Sequence, residues 1–106
     1  MQKFIAAGVL MLGFSTAQAQ SENAIEFCSL ISKMAFSVMN ARQNNVPMDE
    51  MYKLSSGDSY IDTLSRTMIK EAFQQAQMPN NYYRMQAATD FRNKEFQTCI
   101  LIMQNK

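Results

Sequence analysis

Residues Asn23 to Arg42 read NAIEFCSLISKMAFSVMNAR, and the spacing within this stretch decides the fold. Glu22, Glu26, Ser29, Lys33, Ser37, Asn40 and Asn44 recur at intervals of three and four, which is one face of a 3.6-residue helix. On the other side lie Phe27, Cys28, Leu30, Ile31, Met34, Ala35, Val38, Met39 and Ala41. That apolar arc covers about half the circumference, broader than a coiled-coil seam, so it calls for neighbours on two sides. Asn23 followed three residues later by Glu26 resembles a capping box and predicts the helix start. Asn44-Asn45 ahead of Pro47 predicts the stop, because Asn tolerates the left-handed cap and Pro restricts the residue before it.

Working outward, Val46-Pro47-Met48-Asp49-Glu50 predicts a short second helix, with Pro near its first position and two acids in its first turn. Met48, Met51, Tyr52 and Leu54 give it an apolar side, and Ser55-Ser56-Gly57 ends it. Ser59 with Asp62 predicts the start of a third helix running to about Gln77, with Ile61, Leu64, Met68, Ile69, Ala72, Phe73 and Ala76 inward. Met78-Pro79-Asn80-Asn81 breaks the chain. A fourth helix is predicted from Tyr82 to about Gln104, burying Met85, Ala88, Phe91, Phe96, Cys99, Ile100 and Met103. No stretch alternates in the manner of a strand.

The start of the chain has a different composition. Lys3, the apolar run Phe4 to Phe14 and Ala17-Gln18-Ala19 have the order of a secretory signal peptide, so residues 1–19 are expected to be a cleaved leader and residues 20–106 a single helical domain. The apolar run is too short to span a bilayer, so no stable membrane anchor is expected after cleavage. A periplasmic or secreted location follows, and there two cysteines read as one disulfide, Cys28 to Cys99. Joining a residue near the start of the first helix to one near the end of the last sets those helices antiparallel. The expected fold is all-α: a small antiparallel bundle of three long helices and one short one, closed by a single disulfide.

Composition excludes several chemistries. Without its leader the chain balances nine basic against nine acidic residues, and neither sign dominates a stretch, which argues against nucleic-acid binding. There is no histidine, hence no ordinary general base at neutral pH and no partner to activate a Ser or Cys nucleophile. Gly57 alone among the glycines lies beyond the leader, too few for a phosphate cradle. The acids Asp49, Glu50, Asp58 and Asp62 fall at helix starts, where they cap and favour the dipole. No enzyme activity, catalytic residue, metal site or cofactor is expected.

What remains is binding. Methionine is abundant, and Met48, Met51, Tyr52 and Met78 are candidates for an adaptable partner-binding surface. Tyr82-Tyr83-Arg84 combines residue types enriched at binding hot spots. Leu101 falls on the polar stripe of the last helix, and Phe36 has no obvious place on the first. These two apolar residues raise the prospect of a homodimer. The alternative to a protein partner is a periplasmic carrier holding a soft metal or small ligand through methionines, with Met48-x-x-Met51 as the thioether pair.

An early Cys28 in a helix containing alanine and methionine, Ala41-Arg42 at its end, the Asn45-Val46-Pro47 turn, Pro79 before the last helix and a closing Cys99 form a layout. It resembles short exported single-disulfide helical proteins of Gram-negative bacteria and their phages, which carry no assigned activity. The resemblance implies export and the helical fold, and carries over no site residues. The expected function is that of an exported protein-binding module, an accessory, inhibitor or immunity-type factor.

Overall fold

The computed structural model describes the backbone of residues 2–54 and 56–105, with side chains from Glu22 to Asn105 apart from Ser55. The expected leader and its cleavage motif therefore lie outside the residues whose side chains are described. Four helices follow one another: α1 (Gln2–Gln43), α2 (Met48–Tyr52), α3 (Ser59–Ala72) and α4 (Asn81–Gln104). No strand occurs among the described residues. The protein is an all-α bundle of three long helices and one short one, with Cys28 and Cys99 joined across α1 and α4.

Asn23 lies inside α1 and does not cap it, contrary to the expected start. The residues around it, Ala17-Gln18-Ala19-Gln20-Ser21-Glu22, contain no breaker, so a cap-like pair within them has no helix end to serve. The far end behaves as the sequence predicts. Asn45 adopts a left-handed conformation with φ 73°. Its N–H donates to the Arg42 carbonyl at 3.1 Å while the Val46 N–H reaches the Ala41 carbonyl at 3.0 Å. This six-to-one and five-to-two pairing is a Schellman close, with Val46 and Ala41 packed on the core as its apolar clasp.

Pro47 is the N-cap of α2, and Met51 goes into the core beneath it. Gly57, at φ 88°, then turns the chain toward α3. The cap of α3 is Asp58, one residue before the expected Ser59, its carboxylate accepting the N–H groups of Tyr60 and Ile61 at 2.9 and 3.1 Å. Asp62 is drawn instead to Ser56, accepting from its N–H and hydroxyl. At the start of α4 the Asn80 side chain accepts the Tyr83 N–H at 3.0 Å.

α4 runs antiparallel to α1, along which it makes its main packing. α3 runs in the same sense as α1: Leu64 lies beside Ile31, Ile69 beside Val38, and Phe73 under the Arg42 guanidinium. The connection through α2 thus returns the chain to the stapled end before α3 begins. Ile31, Ala35, Val38 and Met39 of α1, Met68, Ile69 and Ala72 of α3, and Ala87, Ala88 and Phe91 of α4 form the core, with Met51 from α2. Alanines at 35, 72 and 88 are fully enclosed, which lets the three backbones approach closely where Phe91 and the two methionines fill the centre.

Several side chains lie elsewhere than the periodicity predicts. Leu30 is 64% exposed, because α3 and α4 cover less of α1 than half its circumference and Leu30 falls beyond their edge. Met85, Leu54 and Ala76 also stand outside the core. α3 ends at Ala72, five residues before the expected Gln77. The reason is tertiary. Gln43, 0% exposed, donates through Nε2 to the Ala76 carbonyl at 3.1 Å and accepts the Met78 N–H through Oε1 at 2.7 Å. Its own carbonyl accepts from Gln77 Nε2 at 2.9 Å, and Arg42 donates from Nε and Nη2 to the Gln75 carbonyl. A continued helix would have kept those backbone groups for itself.

Two measurements check these supports. The disulfide closes a loop with a sequence separation of 71, and Cys28→Ser/Cys99→Ser should lose about 4 kcal/mol of unfolding free energy in urea titration. Gln43→Leu, which fills the space and leaves the Met78 N–H unpaired, should cost about 2 kcal/mol, with hydrogen-exchange protection of the Met78 amide lost first.

Candidate functional site

The sequence candidates do not assemble into one surface. Met51 is in the core and Tyr52 is half-buried beneath the Arg66 guanidinium, so Met48 alone of that group is exposed. Met48 and Met51 therefore do not present paired sulfurs to a shared ligand. Met78 is half-buried in the turn held by Gln43. Arg84 faces inward, its Nε donating to the Met78 carbonyl at 2.8 Å, and so acts as a fastener of that turn. Phe36 packs against the core cluster and is not a stray apolar residue. Leu101 is exposed, as its position on the polar stripe of α4 predicts. Tyr82 and Tyr83 are exposed and meet edge to face at 5.1 Å beside a shallow depression of about 210 Å³ bordered by Gln75, Gln86 and Asp90. The depression is open, and its lining mixes these polar groups with Met78, Tyr83 and Ala87.

The stapled end is different. A cleft of about 110 Å³ opens there between the first turns of α3 and the last turns of α4. Phe27 and Ile31 of α1 form its back, Tyr60 and Leu64 of α3 one wall, and Thr98, Cys99, Ile102 and Met103 of α4 the other. Tyr60 and Ile102, both lining the cleft, are 62% and 57% exposed. Among the residues lining the cleft, Glu95 carries the sole charged group.

Glu95 is 9% exposed on the inward side of α4, one turn before the disulfide. Burial pushes its carboxyl up from 4.5 to about 7, and the hydrogen bond and charge of Glu71 on α3 add to the rise, partly offset by Lys94. The hydrogen bond between the two carboxyls links α3 to α4 and favours the protonated form of the buried Glu95. Lys94 reaches Glu71 at 3.8 Å from the solvent side. Sequence reasoning placed neither acid at the site. Glu95 falls four residues after Phe91 and four before Cys99, and this i, i+4 row on the buried face was the available signal.

A wider trough of about 360 Å³ runs under α2, lined by Met34, Val38, Val46, Leu54 and Ile69, with Glu50 at an exposed edge. It offers volume without a buried charged group to select a ligand. The groups of His, Cys, Asp or Glu that a metal ion would need are absent among the described residues. No helix among them is long and apolar enough to cross a membrane.

The proton on Glu95 gives a pH signature. Its folded-state pKa lies above the unfolded value, so between about pH 4.5 and 7 the native chain holds a proton that the unfolded chain has released. Stability should fall as pH rises through that window and level off above it. Glu95→Gln should remove this fall, gaining about 2 kcal/mol over wild type at pH 8 and little at pH 4.5, by denaturant titration at each pH.

Compared with models of known protein families, with curated proteins and with solved structures, the chain matches none.

Proposed function

We propose that the protein is an exported, periplasmic or secreted, helical protein-binding module of the accessory, inhibitor or immunity type, and that it meets its partner at the stapled end. The observation that carries this reading is the apolar cleft with the exposed Tyr60 and Ile102 at its rim. Large apolar side chains grouped around a concavity are costly to leave in water, at about 25 cal/mol per Å², and mark surfaces that another molecule covers. A concave apolar centre with a tyrosine at its edge also has the make-up of a binding hot spot. The leader-like composition of residues 1–19 and the Cys28–Cys99 bond both suit an oxidising compartment. The spacing resemblance to exported single-disulfide helical proteins points the same way.

The test is site-specific photocrosslinking in the protein's own host. A photoreactive phenylalanine analogue at position 60 or 102 should give the same discrete adduct, and the analogue at exposed Lys70 on α3 should give none. No adduct from 60 and 102, or equal smears from all three positions, would end the reading.

A further inference from the structure

Resting on that reading, we propose that the cleft receives a lysine side chain of the partner protein, its methylene stem between Leu64 and Ile102 and its ammonium at the carboxyls of Glu95 and Glu71. Shape is the first argument. At about 110 Å³ the cleft is smaller than the roughly 150 Å³ apolar cavity that admits benzene, so it suits a slender unbranched chain better than a ring. Chemistry is the second. Apolar walls around a carboxyl match a side chain that is hydrocarbon along its length and charged at its tip. A partner's carboxylate would be repelled there, and the planar fork of an arginine is wider than the stem it would have to follow.

Charge complementarity is the third argument. The titratable and charged groups around the cleft are Tyr60 and Glu71 of α3 and Glu95 and Lys94 of α4; the α1 side chains lining it, Phe27 and Ile31, carry none. Lys94 is held at 3.8 Å by Glu71 on the solvent side, so the two carboxyls between α3 and α4 are one positive charge short. In the free protein burial and the neighbouring Glu71 favour the protonated form of Glu95. An entering ammonium would take the place of that proton, and the burial that penalises an ionised Glu95 would then favour the pair. The proton leaves to solvent, so binding and pH are linked.

The experiment uses n-pentylammonium, which is the lysine side chain with a methyl group in place of its α-carbon, against 1-pentanol and pentanoate on the intact oxidised protein. Methyl NMR of Leu64, Ile102 and Met103 at pH 8 should show saturation by pentylammonium at a concentration about tenfold below that for pentanol, with pentanoate weakest. Glu95→Gln should erase the preference while leaving the pentanol shifts in place. For wild type the pentylammonium affinity should weaken about tenfold from pH 8 to pH 6. Pentanol binding as tightly as pentylammonium would overturn the lysine proposal, even with the photocrosslinked adduct in hand and the protein-binding reading intact. Selective pentylammonium binding with no adduct from position 60 or 102 would also overturn it, by removing the partner that supplies the lysine.

Discussion

The antiparallel contact between α1 and α4 is the constraint on which the other elements depend. It is fixed at both ends by unlike means. At one end Cys28 and Cys99 hold the two backbones at a Cα separation of 5.6 Å. At the other, Gln43 and Arg42 grip the turn that precedes α4 by its own carbonyl and N–H groups. Between these fixings the enclosed Ala35 and Ala88 permit close approach, and Phe91 fills the space that α3 then covers. α3 is added to a pair already set in register, and it packs mainly on α1.

That division of labour explains where the cleft lies. α3 is held to α1 by Met68, Ile69 and Ala72 toward the turn end, whereas toward the staple it faces α4 across Leu64 and Tyr60 with little filling between them. A buried carboxyl at the edge of such a gap is destabilising when ionised, and a fold under selection for stability alone would place an apolar residue at position 95. Glu95 lies beside an open apolar cleft, not in the sealed core.

Much of the architecture was legible in the residues. The class, the order of the helices, the left-handed stop at Asn45 and the Cys28–Cys99 pairing follow from period, turn chemistry and cysteine count. The errors around the core and the cleft share a physical origin. Periodicity says which side of a helix is apolar but not how much of that side its neighbours cover, so it puts Leu30 and Met85 inside and leaves the buried Met51 among the partner-binding candidates. Local propensity likewise continued α3 to Gln77, since nothing nearby in sequence reveals that residues 75 to 78 are bound by side chains from positions 42 and 43. The cleft escaped for the same reason: it is made by helices that are far apart in sequence, and its acid reads locally as one more surface glutamate.

The grip of Gln43 on the turn also sets where this chain can change length. Between α2 and α3, Lys53, Leu54, Ser56, Gly57 and Asp58 are exposed, and the contacts of Ser56 are made with Asp58 and Asp62 close by in sequence. Between α3 and α4, the backbone groups of Gln75, Ala76 and Met78 are matched one to one with side chains of a distant helix end. An added residue there would shift every partner by one. The first connection can therefore absorb insertions, and can carry an inserted epitope or tag, while the second is a loop of fixed length, governed by the same pairing logic as the helices it joins.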